Sequence, residues 1–343
     1  MNELEWLADA DLSAQSTLRL SSHARWQVRV RSRTALSALC ADSRFKTQAS
    51  WILGGGSNVL LAPSIAGIVI QPCFAELVIK PQADHSALFC VEAGMQWHDL
   101  VLRSVSEGWR GLENLALIPG HCGAAPIQNI GAYGSELCES LEEVEIFDLD
   151  SGQTSWLGPA ELKLGYRDSV FKHTQRRWLI TRLLLRLHRD RALRTHYSGL
   201  ASELADIPPD ALSAGHVMRA VMRLRQRKLP DPAREPNAGS YFQNPVLSAA
   251  GANRLLAEYS ALPHWPQRDG SHKVSAAWLI EHSGLKGYRL GPCRVSQQHA
   301  LVLINEGGDC AALLRLQDHV VACVLEKFSL RLQREPVLLG AAA

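Results

Sequence analysis

Two side chains in this sequence stand in settings that suit proton transfer and charge stabilisation. Ser240 follows a glycine and precedes two aromatic residues in NAGSYFQNP. Serine is a poor acid in water and donates a proton only beside a strongly basic centre, with neighbours that help bear the resulting charge. Arg167 lies in GYRDSVFK, residues 165–172. Its guanidinium fork suits a carboxylate, or the oxyanion that a carboxylate becomes during reaction. The adjacent Asp168 leaves an ordinary ion pair open as the alternative. No G-x-S-x-G elbow and no Ser-His-Asp set at workable spacing accompanies Ser240, which argues against a hydrolase.

Two glycine-rich stretches could hold a ligand for such chemistry. In WILGGGSNVLL, residues 51–61, an apolar run is broken by Gly54, Gly55 and Gly56 and followed by Ser57 and Asn58. Each glycine costs roughly 0.5–1 kcal/mol relative to alanine in a regular element, so three together point to a close backbone approach. An anion such as phosphate is one candidate; a plain tight turn is the other. The stretch lacks the last glycine of G-x-G-x-x-G and the Lys-Ser/Thr pair of a P-loop. The second stretch, GLENLALIPGHCGAAPIQNIGAYGSEL at 111–137, mixes glycines and alanines with the amides Gln128 and Asn129. Small residues let a backbone lie against a flat ring system while amides and N–H groups serve its polar edges. A long surface loop is the alternative, against which Leu112, Leu115, Leu117 and Ile118 argue for burial.

The elements that must position these groups are mixed. From about 25 to 190 the chain reads as short strands, among them WQVRVRS, GIVIQP, ALFCVEAG, LEEVEIFDLDSG and RWLITRLLLRLH. Within this region Trp97, Leu100, Val101 and Val105 fall at helical spacing before Gly108. A second helix is expected around Val217, Val221 and Leu224, stopped by Pro230 and Pro232. Beyond it come helices at SAAGANRLLAEY, SAAWLIEHSGL and DHVVACVLEKF, the last with Val320, Val321, Val324, Leu325 and Phe328 as one apolar stripe, and a strand at LVLIN.

The 343 residues are 46% hydrophobic and 20% charged, a globular composition with room for two or three domains. Lys and Arg number 36 against 34 Asp and Glu, so no global field favours nucleic acid or an anionic membrane, and neither partner is expected. An acidic N-terminus does not read as an export signal, and no apolar run reaches the ~18 residues of a membrane span, so a cytoplasmic location is expected. The eight cysteines contain no C-x-x-C pair and read as reduced; His121 beside Cys122 is a weak metal signal, and no metal is expected.

The motifs GGGSNVLL, GLENLALIPG with PIQNIGAYG, GYRDSVFK, KLPDP, NAGSYFQNP, KVSAAWLI, LKGYRLG and ALVLIN occur in that order. Together, from about residue 16 to 340, they resemble the flavin-dependent UDP-N-acetylenolpyruvoylglucosamine reductases (UDP-N-acetylmuramate dehydrogenases) of peptidoglycan synthesis. The resemblance implies an α+β chain: an FAD-binding fold of the vanillyl-alcohol oxidase and p-cresol methylhydroxylase type over 16–225, with subdomains of about 16–75 and 76–225, and an α+β substrate-binding domain over 226–340. It implies non-covalent FAD, NADPH as hydride donor, and hydride delivery from flavin N5 to C3 of UDP-N-acetylglucosamine enolpyruvate, giving UDP-N-acetylmuramate. Protein partners are not implied.

By the same resemblance, Arg167 and Glu335 stabilise the enol-like dianion and Ser240 protonates C2. Glu335 must then carry or share a proton, since a carboxylate would repel the anion. The flavin seat is Gly54, Gly55, Gly56, Ser57, Asn58, Gly120, Gly123, Ala124, Ala125, Gln128 and Gly131. Tyr197, Lys228, Asn244 and Lys286 match substrate-side positions, and Tyr197 implies the branch that closes a tyrosine-bearing loop over the diphosphate. Trp265 replaces a tyrosine of the known branch, His299 stands where an acidic or amide group is expected, and Pro336 restricts Glu335 to extended backbone. Two other readings compete: a sugar or aldonolactone oxidase on the same fold, which commonly holds flavin through a histidine beside the glycine loop, and a non-catalytic nucleotide-sugar binding protein.

Overall fold

The alternating run WLITRLLLRLH forms the strand Trp178–His188 in a computed structural model that describes residues 3–340 apart from 175, 198 and 268. Successive strand residues face opposite ways, and Leu183, Leu185 and Leu187 are fully buried. This strand is central to a five-stranded antiparallel sheet ordered Thr154–Leu157, Leu141–Asp148, Trp178–His188, Ser86–Glu92, Leu77–Pro81. The helices Trp97–Ser106 and Ala214–Lys228 bury Trp97, Leu100, Val101, Val217, Val221 and Leu224 in the same core as Phe89 and those leucines. Gly108, at φ +81°, ends the first helix as its spacing suggested. A four-stranded sheet ordered Leu4–Asp11, His23–Val30, Ser64–Pro72, Ser50–Ile52 completes this part. The strand Leu4–Asp11 shows no clean alternation of burial, only Ala10 being buried.

The C-terminal part has a sheet ordered Asn237–Ser240, Val302–Asn305, Cys293–Val295, Arg289–Leu290 and a smaller one ordered Val246–Leu247, His272–Val274, His264–Pro266. Its helices are Ala249–Glu258, Ala276–His282 and Cys310–Phe328. The last begins well before the expected stretch, where the Asp309 carboxylate caps the Ala312 N–H at 2.7 Å. Its buried face holds Val320, Val324 and Phe328, whereas Leu325 is 40% exposed, so the apolar stripe is narrower than the sequence suggested.

The chain divides into two compact units. One holds residues through Ala10, Ala24–Gly56 and Ile65–Arg227; the other holds Asp11–His23, Ser57–Ser64 and the chain from Lys228 on. The bounds expected from sequence, 16–225 and 226–340, are continuous; the units are not. The reason lies in bonds to the C-terminal part: Val59–Leu61 runs parallel to Val337–Leu339, the Asn237 N–H donates to Thr17 O at 3.0 Å, and the side-chain Nδ2 of Asn305 donates to Leu18 O at 2.9 Å. Leu18, Leu20 and Leu60 accordingly sit in the C-terminal core with Tyr241 and Phe242. No helix among the described residues is long and apolar enough to cross a membrane. None of the eight cysteines is in a disulfide.

Candidate active site

In the first unit the two glycine-rich stretches meet. A Cβ on Gly55 would stand 2.8 Å from Gly120 Cα and 3.2 Å from His121 Cδ2, and one on Gly54 would stand 3.5 Å from Ala124 Cβ. Gly56 is in the left-handed region at φ +64°. Part of the glycine requirement is therefore internal, because two backbones approach each other here. Gly123 answers a third approach, since its Cβ would fall 2.6 Å from Ala93 Cβ. Cys122 and Ala125 are buried, whereas Ala124 is exposed and Gly54, Gly55, Gly120 and Gln128 are half-buried. His121 stands beside the glycine loop in space although no histidine stands beside it in sequence. Burial lowers its imidazole pKa, and its buried Nδ1 finds no partner among the described residues.

The loop is held in strained form. Leu117, Asn129 and Tyr133 all have positive φ, at 57°, 44° and 49°, a region costly for side-chain-bearing residues. The Leu117 N–H donates to His98 Nδ1 at 3.1 Å. Asn129, 1% exposed, donates through Nδ2 to Gly165 O (3.1 Å) and Glu136 Oε2 (2.9 Å) and accepts from the Cys138 N–H (3.0 Å). Of the two amides noted in sequence, Asn129 is thus spent on internal bonds rather than turned to a ring edge.

Those bonds bring Arg167 to the loop. Gly165 and Asp168 exchange backbone bonds of 3.0 and 3.2 Å, closing a tight turn with Tyr166 and Arg167 at its tip. Arg167 adopts φ +54°, and its Nη2 donates to Gly131 O at 3.0 Å. Ser169 Oγ donates to Ile127 O at 2.7 Å, fixing the same turn to the same loop. Asp168 pairs with His173 rather than with Arg167. The Tyr197 ring packs edge-on against Tyr133 with centroids 5.2 Å apart, and Asn114 Nδ2 bridges Tyr133 O (2.9 Å) and Arg194 O (3.0 Å) beneath it.

The second unit holds Ser57, Asn58, Lys228, Ser240, Asn244, Lys286 and Glu335. Ser240 ends a strand that pairs with Val302, and the Glu335 N–H donates to the carbonyl of the next residue, Tyr241, at 2.9 Å. Ser240 and Glu335 therefore sit on adjoining backbones, one near each end of the C-terminal sequence. The motif KLPDP reaches them through Asn237, whose Nδ2 donates to Pro230 O (3.2 Å) and Glu235 O (2.7 Å) and whose Oδ1 accepts from the Gly239 N–H (2.8 Å).

The substrate-side residues are unequal. Asn244 Oδ1 accepts from the Ala276 N–H at 3.0 Å, so one of its polar ends is a helix cap. Lys286 pairs with Glu281 at 3.0 Å, while Lys228 is exposed. His299 lies near both lysines: burial first, then Lys228 and Lys286, lower its pKa. Its Nδ1 accepts from the Leu301 N–H at 3.3 Å, which leaves the ring proton on Nε2. Trp265, 42% exposed, sits on a strand beside Lys273. No group of three or more His, Cys, Asp or Glu among the described residues could hold a metal ion.

The first unit leaves three features open to a ligand: half-buried, side-chain-free backbone at Gly54, exposed Ala124, and a buried His121 Nδ1 that no described residue partners. Comparison with known proteins agrees. Residues 25–158 match an FAD binding domain, and residues 231–339 match the C-terminal domain of UDP-N-acetylenolpyruvoylglucosamine reductase. Reductases of that name from Azoarcus sp. (strain BH72) and Chromobacterium violaceum are 45% and 41% identical, aligned over 96% and 98% of this chain and 96% and 99% of theirs. The solved reductase of Thermus caldophilus is 25% identical over 98% of both chains, with a TM-score of 0.66. With near-full-length identity above 40% and both halves matched in order, this chain belongs to the UDP-N-acetylenolpyruvoylglucosamine reductase family.

Proposed function

We propose that this flavoprotein reduces UDP-N-acetylglucosamine enolpyruvate to UDP-N-acetylmuramate, with Arg167, Ser240 and Glu335 acting on the enolpyruvyl group. Bound FAD would supply the redox chemistry, relaying hydride from NADPH to C3 of that group. Gly54, Gly55, Gly56, Gly120, Gly123, Ala124, Ala125, Gln128 and Gly131, with Ser57 and Asn58, would hold the cofactor, and His121 adds a ring nitrogen that no described residue partners.

As hydride reaches C3, charge moves through C2 into the carboxylate. Arg167 offers a preset guanidinium to that charge, already aimed by its bond to Gly131 O. Ser240 Oγ–H gives its proton to C2, and Glu335, holding or sharing a proton, donates to the developing oxyanion. Lys228 and Lys286 supply positive charge to the diphosphate, Tyr197 and the Asn244 amide N–H groups supply directional donors, and Lys286 must exchange its Glu281 partner to do so. The observation that carries this reading is the backbone pairing of Glu335 with Tyr241, which joins Ser240 and Glu335 across roughly a hundred residues of sequence. Ser240→Ala tests it: flavin reduction by NADPH should be spared and the enolpyruvyl half-reaction slowed by roughly 10²–10⁴. Equal loss in both halves would remove Ser240 from proton transfer.

A further inference from the structure

The motif GYRDSVFK ends on Lys172, a residue to which neither its exposure nor its sequence neighbours give a role. In the structure its Nζ donates to the carbonyl oxygen of Arg167 at 2.9 Å. That carbonyl belongs to a residue at φ +54°, a conformation glycine takes freely and arginine does not. A tight turn closed by Gly165 and Asp168 could have placed glycine at its tip, but the chemistry needs a guanidinium there. Three side-chain bonds hold the turn: Asn129 on Gly165 O, Ser169 from the turn to Ile127 O of the loop, and Lys172 on Arg167 O. Asn129 and Ser169 are each 1% exposed and fix the base of the turn. Lys172 alone among these bonds the Arg167 peptide itself, and it does so from the surface.

We propose that Lys172 is a positioning residue for Arg167: its ammonium holds the Arg167 peptide in the left-handed conformation that directs the guanidinium over Gly131. The inference rests on the reading that Arg167 stabilises the enolpyruvyl anion. If the tip relaxes toward ordinary φ, the side chain leaves its bond to Gly131 O, and the donor must be reoriented in every turnover. Because Lys172 is exposed, its loss leaves a carbonyl that water can serve, so the fold is retained and only the turn's preference changes.

The test uses the holoenzyme and resolves the two half-reactions by anaerobic stopped flow. Lys172→Met should leave flavin reduction by NADPH unchanged and slow flavin reoxidation by the enolpyruvyl substrate about 3- to 10-fold, the worth of one ordinary hydrogen bond, in the limiting rate rather than in the apparent KM. Lys172→Arg should restore most of the rate, and Lys172→Met should add nothing to an Arg167→Ala background, since the two residues act as one unit. A wild-type reoxidation rate in Lys172→Met, or equal slowing of both half-reactions, would overturn the proposal. Arg167→Ala on its own separates the two layers. If it reoxidises normally, the role of Arg167 falls; if it is slow while Lys172→Met is normal, only the role of Lys172 falls.

Discussion

The approach of Gly55 to Gly120 can be tested by adding one carbon. Gly55→Ala would place Cβ 2.8 Å from Gly120 Cα and 3.2 Å from its carbonyl carbon, both backbone atoms with no rotamer to change. Gly55 is not among the residues with positive φ, so alanine is allowed in backbone terms and the effect is steric. Relieving the clash means parting two loops by about half an ångström, and forced overpacking of this kind costs about 1–3 kcal/mol. If the loops part, the cost appears as FAD affinity weakened roughly 5- to 150-fold, at 1.4 kcal/mol per tenfold; if bound FAD holds them together, it appears as lower stability. Gly54→Ala is the control, since its Cβ would meet Ala124 Cβ at 3.5 Å, an ordinary contact. The assay is the visible flavin absorbance per protein after purification, FAD titration into stripped protein, and thermal unfolding of both variants. Gly55→Ala matching wild type in cofactor affinity and stability, or Gly54→Ala proving the worse of the two, would rule out the close approach to Gly120 as what demands glycine at 55.

Two further outcomes follow from buried titrating groups. Glu145 is 3% exposed; burial raises its pKa, but hydrogen bonds from Arg182 and Thr181 outweigh this and leave the carboxyl below its ordinary value. Arg182→Met, which leaves Thr181 at 2.6 Å and Arg33 at 3.5 Å, should destabilise by about 2–4 kcal/mol in thermal or urea unfolding. Because the folded pKa is depressed, the stabilisation from Glu145 is present above about pH 4.3 and lost as pH falls through the folded value; the variant should lose that acid slope. His121 is lowered by burial, so below about pH 6.5 the unfolded chain takes up a proton that the folded one resists, and stability falls with pH. His121→Gln should flatten the loss of melting temperature between about pH 7 and 5.5, and an unchanged slope would place the proton uptake elsewhere.

What the sequence made legible was local or carried by motif. Helical spacing located Trp97–Ser106 and Val217–Leu224, and alternation located Trp178–His188, because each element buries one face in a core that tolerates little else. The motifs marked the two glycine loops, which meet in the first unit, and singled out Arg167 and Ser240 for the roles proposed above. What stayed hidden depends on distant backbone. Nothing local in residues 11–23 or 57–64 shows that they pack with the C-terminal unit, since that follows from pairing with Thr17, Leu18 and Val59–Leu61. His121 is invisible as a neighbour of Gly55, being some sixty residues away in sequence. Asn129 reads as a donor for a ligand until its bonds to Gly165, Glu136 and Cys138 are seen. A polar residue amid glycines in a sequence that also ends a turn in the left-handed region is the signal that could have marked it as internal, because asparagine is the side-chain-bearing residue that best tolerates that conformation. The exposure of Leu325 shows the limit of stripe reading, since the edge of an apolar face is set by the width of the neighbouring layer.

Passage of hydride from NADPH to the enolpyruvyl group by way of flavin bound to this chain can be followed in the flavin spectrum. The most direct measurement is anaerobic: bleach the purified yellow protein with one equivalent of NADPH, then add UDP-N-acetylglucosamine enolpyruvate. Return of the flavin absorbance with formation of UDP-N-acetylmuramate is the expected result. Bleached flavin that stays reduced in the presence of that substrate, and reoxidises only when oxygen is admitted, would contradict it.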